Sequence, residues 1–407
     1  MLDRRNPITL EEAQAKLAAL PVYRRTEEIS IDQANHRILA EDSRATYDYP
    51  NFRRSGYDGY AIRSEDDHDY PKIFKVRGEI QAGATFDGDL GENETARIMT
   101  GAFVPDNAGK VIMLEQTRAV PDRPEQVKIM VTGKNDNITP AGSEFKQGDL
   151  LIAAGTELNP GGLSLLSAFG QSKVLVYRQP RVALITTGTE LLHQGDQPQP
   201  GKIFNSNGPM IANLVKESGA ILTEEIQLQD DYELLKSNLK RLRANNDVVI
   251  TDGGVSVGDF DYLAEAARNS DELLFNKLKL RPGSVTTAFV DQNTLVMALS
   301  GNPGACFTGF YLFTEPVLRR YVDQASKSQK VTAILEKPYH KTNGYDKVLR
   351  GTYRLAADGR YYVQLNGSDR SGDLGNLQST TCLFKIPHSH EPIALNAEVE
   401  TWLLPFK

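Results

Sequence analysis

The chain has 407 residues, 40% of them hydrophobic and 24% charged, with a formal net charge of −7, which is enough material for two to four domains with cores of their own. An acidic balance argues against a general nucleic-acid binder, which needs a basic face, and no stretch approaches the roughly 18 apolar residues of a membrane span. Two cysteines far apart in sequence, Cys306 and Cys382, offer neither a disulfide framework nor metal-ligand spacing. The first residues, MLDRRNPITLEEAQ, lack the apolar centre of a leader peptide, so the expected location is cytoplasmic, with no nucleic acid and no membrane among the partners.

Thr9 followed by Glu12 fits a capping box, and Leu10, Ala13, Leu17 and Leu20 share one face of the helix it starts. Residues 27–41 read as a second, shorter helical piece. From Tyr47 onward, short β-type runs separated by Gly, Pro and Asn (YAIR, IFKVRGEI, ARIMTG, KVIMLEQT, QVKIMVTG) predict a small β domain over 46–142. It interrupts a unit made of 1–45 and 143–178, because 144–178 has no core of its own and is expected to pack back on the N-terminal helices. After Pro180 the texture alternates between strand and helix. RVALITTG, ILTEEIQL, DVVITD and TLVMALSG read as strands, with helices over 208–218, 231–244, 261–268 and from Pro303. This predicts a mostly parallel sheet covered on both faces across 179–323. Residues 324–407 return to β texture, and Asp358–Gly359 marks a hairpin between KVLRGTYRL and YYVQLN. The fold class is therefore multidomain α/β plus β, closed by a small all-β domain.

Parallel sheets bind ligands at the carboxyl ends of their strands, and three unusual loops fall there: TTGTEL, DGGVSVGDFDY and SGNPG. In the second, Gly253, Gly254, Ser256 and Gly258 allow backbone N–H groups to approach a phosphate, and the following helix start adds positive partial charge. Glu190, Asp230, Asp259 and Asp261 all follow predicted strands. Taken singly, each is more simply a helix cap or a solvated loop acid. Gathered at one edge beside a glycine loop, with no His or Cys among them, they suit a hard cation such as Mg²⁺.

A second candidate is SGYDGYAIR, where Asp58–Gly59 alone reads as a turn, but the flanking tyrosines and nearby Arg53 and Arg54 make a polar loop with aromatic walls. Thr100, at the end of RIMTG, either caps its turn or touches a ligand. Arg281 in LRPGS and Arg350 in VLRGTY are able to hold an anion, with Ser284 and Ser371 as hydroxyl donors, although a lone arginine on a strand edge is usually a surface residue. Without a histidine cluster, Ser-His-Asp hydrolysis is not expected.

Taken in register, ILAED, SxxDGYA, RIMTGAxVP, VIMxEQT, TGxEL, DGGVSVGDxDY, SGNP and a late RG resemble the molybdopterin molybdenumtransferase family, the MoeA proteins and the gephyrin E domain, over almost the whole chain. The resemblance implies four domains, with a sheet unit like the MogA-type molybdopterin-binding fold. It also implies a homodimer whose cleft lies between the sheet and C-terminal domains of one chain and the inserted β domain of the other. The implied reaction is Mg²⁺-dependent cleavage of adenylylated molybdopterin with insertion of molybdate and release of AMP. Carried over by position, Asp58, Thr100, Glu190, Asp230 and Asp261 match catalytic cleft residues, and Glu190, Asp230 and Asp261 would hold the metal. Gly253, Gly254, Ser256, Gly258, Gly301, Asn302 and Pro303 match substrate loops, and Arg350 and Ser371 match the molybdate site. Where the family commonly reads KPGKP, this chain has RPGSV, Arg281 to Val285. One lysine becomes Arg281 and the other Ser284, a lost cation whose removal would weaken anion binding by roughly 1.5–3 kcal/mol. Two alternatives stay open: a non-catalytic paralogue that binds pterin or nucleotide as a scaffold, and a pyrophosphatase on the same sheet.

Overall fold

The computed structural model describes residues 6–253, 262–342 and 344–405. The chain forms two compact units, one of Met1–Glu28, His36–Ala40 and Leu175–Lys407, the other of Ile29–Asn35 and Glu41–Val174. Helix α1 (Leu10–Ala19) opens with the expected capping box, Thr9 Oγ1 accepting from Glu12 N and Glu12 Oε2 accepting from Thr9 N. Its Leu10, Ala13 and Leu17 enter the large core of the first unit. The helix expected over 27–41 is absent. Thr26–Ser30 is a strand and Ile31–Gln33 a single 3₁₀ turn, and His36 sits at φ +62°, a conformation that a right-handed helix cannot contain. The apolar residues of this stretch alternate irregularly, and their spacing imitates a helical stripe.

In the second unit, segment 144–174 packs back on the stretch that follows α1, with Ile31 N donating to Ser172 O and Ser43 bonded to Gln171. Leu150–Ile152 pairs antiparallel with Ser43–Arg44, and α2 (Pro160–Ala168), started by Asn159 accepting from Gly162 N, also belongs to this unit. Its main sheet contains β1 (Gly59–Arg63), β2 (Lys72–Ile80), β3 (Glu94–Ile98), β4 (Ala108–Met113), β5 (Thr117–Ala119) and β6 (Gln126–Ile129), in the order β4-β1-β3-β2-β6-β5. Both faces are covered. Ala61, Ala96 and Val111 pack on one side, and Ile62, Ile112, Phe74 and Val127 on the other, as the two-residue period of a strand requires.

The first unit is built on β7 (Arg181–Thr187), β8 (Ile221–Leu228), β9 (Val248–Asp252), β10 (Glu272–Phe275), β11 (Thr287–Asp291) and β12 (Thr294–Leu299), ordered β8-β7-β9-β12-β11-β10. The first four strands run parallel, while β11 is added antiparallel to β12 and β10 antiparallel to β11. The sheet is therefore mixed, its antiparallel edge made by a tight hairpin at Gln292 and Asn293, both at positive φ. Helices α3 (Asn207–Glu217) and α6 (Pro303–Gly309) cover one face together with α1, and α4 (Tyr232–Arg243) and α5 (Tyr262–Arg268) the other. Val182 and Leu184 of β7 point to the first layer, Ala183 and Ile185 to the second. Among the described residues no helix is long and apolar enough to cross a membrane.

Five later strands, β13 (Gln329–Leu335), β14 (Asp346–Leu355), β15 (Tyr361–Leu365), β16 (Cys382–Ile386) and β17 (Glu398–Leu403), close into a barrel. Pairings run β14-β15-β13-β17-β16 and return to β14, which leaves this ring without a free edge. The expected hairpin at Asp358–Gly359 joins β14 to β15. Leu280–Arg281 pairs with the start of β14 and so brings the 281–285 loop against the barrel.

Candidate active site

Register sets the first part of the site. Thr187 pairs with Leu228, Thr186 with Asp252 and Asp252 with Leu299, so the four parallel strands end level and their loops leave at one edge, where open sheets bind ligands. Thr189 donates to Asp230 Oδ2 from its backbone N at 3.1 Å and its hydroxyl at 2.8 Å, tying the turn that carries Glu190 to the loop that carries Asp230. Helix capping is left to the next residue, Asp231, which accepts from Leu234 N at 2.9 Å. Gly253 lies at φ +86°, and a Cβ there would stand 2.5 Å from Thr187 O, so the chain leaves β9 in a conformation suited to glycine. Gly254, Ser256, Gly258, Asp259 and Asp261 lie outside the described residues.

The last residue of β9, Asp252, is only 4% exposed. It accepts from Asn207 Nδ2 at 3.1 Å and from the Cys306 thiol. Burial pushes its carboxyl up to about 7, and the nearby Glu190 charge adds to this against the lowering effect of the two bonds. The Cys306 thiol, fully buried beside that carboxylate, is pushed well above its ordinary range and stays protonated, which removes it as a soft metal ligand. Asn207 also donates to Gly301 O at 2.8 Å, clamping the ends of β9 and β12 together. Its own Oδ1 is buried with no partner among the described residues.

Beside the 281–285 loop and the barrel lies a cavity of about 720 Å³, lined among others by Arg281, Ser284, Ser300, Asn302, Lys341, Lys347, Asp369 and Ser371. Asn302 precedes α6 without capping it through its side chain, and Pro303 takes the first helical position, where its missing N–H costs nothing. The Arg281 guanidinium lies 5.3 Å from the Tyr345 ring centre, a cation–π arrangement. Asp369, its side chain 8% exposed, is pushed up by burial. The bonds from Lys341 and Tyr339 and the charges of Lys341 and Lys347 outweigh that and hold its carboxyl at about 2.

Arg350 does not line this cavity. It is 2% exposed, donates from Nε to Asn376 Oδ1 at 3.0 Å and from a terminal nitrogen to Arg370 O at 2.8 Å, and packs against Gly304, where a Cβ would collide with the guanidinium. Asn376 in turn donates to Asn366 O and Ser368 O, and Gly304 N donates to Ser371 O at 2.8 Å. The arginine expected to hold an anion also braces the segment that carries Asp369 and Ser371.

In the second unit, Asp58 Oδ1 accepts from Thr100 N at 2.6 Å and Thr100 Oγ1 at 2.7 Å. These bonds, the hydroxyl first, hold its carboxyl below the usual aspartate range. Both residues are exposed. Arg53 is structural, donating to the backbone carbonyls of Asp106 and Ala108, and Arg54 is paired with Glu144 at 2.7 Å.

Comparison with known proteins bears on the whole chain. Residues 8–170 match the MoeA N-terminal region (domain I and II), 183–320 a probable molybdopterin binding domain, and 332–404 the MoeA C-terminal region (domain IV). A molybdopterin molybdenumtransferase of Staphylococcus aureus (strain COL) is 39% identical over 398 residues, covering 95% of this chain and 93% of the relative. The chain belongs to the MoeA family. A Staphylococcus epidermidis molybdopterin molybdenumtransferase is 37% identical over 393 residues, with 95% and 93% covered. A crystal structure of a molybdopterin biosynthesis MoeA protein from Pyrococcus horikoshii superposes with a TM-score of 0.81 at 29% identity, covering 98% of this chain and 99% of that one.

The motif residues that are described fall in three places. Glu190, Asp230, Gly253 and the 301–303 turn meet at the sheet edge, and Arg281, Ser284, Asn302 and Ser371 surround the cavity. Asp58 and Thr100 form their own hydrogen-bonded pair. Sequence reasoning missed Asp252, although its place before the glycine pair at the end of an apolar strand was a usable signal. It also missed Lys341, Lys347 and Asp369, which in a polar, β-textured tail look like ordinary surface charges.

Proposed function

We propose that this MoeA-family enzyme of molybdenum cofactor biosynthesis inserts molybdate into adenylylated molybdopterin and releases AMP. The observation that carries the reading is the cationic cavity of Arg281, Lys341, Lys347 and Ser371, which opens next to the 301–303 turn of a sheet edge bearing carboxylates. The anionic substrate groups and the acidic groups that manage a cation thus have separate walls. Glu190, Asp230 and Asp261 are proposed to hold Mg²⁺. The donor set is hard oxygen, the thiol near it is kept protonated by burial, and Thr189 bonds Oδ2 of Asp230. Among the described residues alone, no three of His, Cys, Asp and Glu form a metal-holding group, and Asp261 lies outside them. When bound, Mg²⁺ would offset phosphate charge and polarise the phosphoanhydride.

The chain's own contribution is positioning. Thr189 fixes the Glu190 turn against Asp230, Asn207 holds the loop before Asn302, and Gly253, Gly254, Ser256 and Gly258 are proposed as the residues that bind the pterin phosphate. Asp58 and Thr100 are proposed as the catalytic contribution of the inserted β domain. The four-domain division (1–45 with 143–178, 46–142, 179–323, 324–407), the homodimer and the cytoplasmic location belong to the same proposal. Purified protein is given adenylylated molybdopterin and Mg²⁺, and AMP is measured with and without molybdate, with its mass in solution taken by light scattering. AMP release stimulated by molybdate, from a dimer, is expected. Release indifferent to molybdate would make the chain a pyrophosphatase, and no release under any condition would make it a scaffold.

A further inference from the structure

The cavity beside Arg281 carries more positive charge than the motifs in it account for. Arg281 and Lys347 are register partners in the parallel pairing of Leu280–Arg281 with β14, so their side chains leave on one face, and both line the cavity. Lys341 joins them from the segment preceding β14. Among the described residues, Asp369 is the one carboxylate lining that wall. Its Oδ1 accepts from Lys341 Nζ at 2.5 Å, and its Oδ2 accepts from the Tyr339 hydroxyl at 2.6 Å and from Lys347 Nζ at 3.3 Å. Lys347 Nζ also donates to the Tyr339 oxygen at 2.6 Å.

A purely structural ion pair needs one cation for one carboxylate. Here, among the described lining residues, a single aspartate bonds two ammonium groups while Arg281 lines the same cavity, so the wall is net cationic. Each ammonium has three N–H donors. Lys347 directs two of them to Tyr339 and Asp369, and Lys341 one to Asp369, which leaves donors for a ligand from groups already fixed in place. Preset donors bind without the loss of side-chain freedom that a mobile surface lysine suffers. At about 720 Å³ the cavity is within the roughly 300–1,000 Å³ of small-molecule sites, so a small anion fills one wall and leaves room for an organic part.

We propose that Lys347 and Lys341, fixed by Asp369 and Tyr339, bind a tetrahedral dianion of the molybdate class together with Arg281. The barrel thereby supplies the cation that the loop Arg281 to Val285 lacks. This rests on the reading of the cavity as the oxyanion site of the transferase.

The test is AMP release from adenylylated molybdopterin by the full-length protein as a function of molybdate concentration. Lys347→Gln is expected to raise the KM for molybdate about ten- to hundred-fold, the range of one charged hydrogen bond, with kcat recovered at saturating molybdate. Lys341→Gln, at a side chain 63% exposed, is expected to raise it several-fold without endangering the fold. Lys347→Arg should restore most of the affinity, and Lys236→Gln on α4 should change nothing. A wild-type KM in both glutamine variants, or a fall in kcat with KM unchanged, overturns the assignment and leaves the transferase reading standing. A wild-type protein that releases no AMP overturns both.

Discussion

Replacing Arg350 by methionine separates a brace from a ligand. The guanidinium is almost wholly buried and makes two bonds, to Asn376 Oδ1 and Arg370 O. Methionine fills a similar volume but leaves both acceptors without a donor, at roughly 1–3 kcal/mol each. Against this stands the relief of no longer burying a cation, a burden visible in the lowering of the Arg350 pKa by desolvation. The net expected loss is about 1–3 kcal/mol, and with about 2–4 °C per kcal/mol in a unit of this size the melting of the sheet-and-barrel unit should fall by roughly 2–12 °C. Calorimetry measures that fall, and hydrogen exchange of the amides over 366–376 locates it, since Asn376 holds Asn366 and Ser368. If Arg350→Met melts with the wild type, keeps wild-type exchange over 366–376 and yet loses molybdate affinity, Arg350 touches the anion directly and the bracing role is wrong.

Thr100→Val keeps the backbone bond to Asp58 and removes the hydroxyl one. The Asp58 pKa should rise, by NMR titration, and turnover fall about tenfold, whereas Asp58→Ala should abolish turnover with an unchanged circular dichroism spectrum. Asp252 has a folded pKa raised to about 7 from an ordinary 3.8, so the folded state holds a proton that the unfolded state has released. Stability should therefore decline as pH rises from about 4 to about 7 and level off above. In metal-free buffer Asp252→Asn should flatten that decline in urea titrations, and a slope equal to wild type would refute it. Gly253→Ala forces a side chain into a left-handed backbone position facing Thr187 O and should lower the urea midpoint by the equivalent of about 1–3 kcal/mol.

Local chemistry was legible where the chain writes it locally. The capping box of α1, the hairpin at Asp358–Gly359, and the strands and helices from Arg181 to Gly309 all follow from spacing and turn residues. The stretch 27–41 misled because a strand, a 3₁₀ turn and a left-handed His36 together mimic helical periodicity. The placing of Glu190 and Asp230 at one edge follows from topology, because loops after parallel strands emerge on the same side. The roles of Arg350 and Lys347 were not legible, because burial and cross-strand register depend on partners distant in sequence. Arg350 reads as a surface arginine until Gly304 and Asn376 close over it, and Lys347 acquires its meaning from pairing with Arg281.

The docking of α1 has a consequence for how the chain is made. Ile8 bridges to Leu278, and Gln14 donates to Leu312 O, so the partners of the first helix emerge from the ribosome some 270 to 300 residues after it. Ten residues of isolated helix are only marginally stable in water, and the second unit, encoded almost entirely in between, is complete long before those partners exist. The nascent chain must therefore carry an unburied Leu10, Ala13 and Leu17 through most of synthesis. Capture of α1 is a long-range step that awaits residues 278–312, the kind of late, non-local closure that is slow and calls for protection from aggregation.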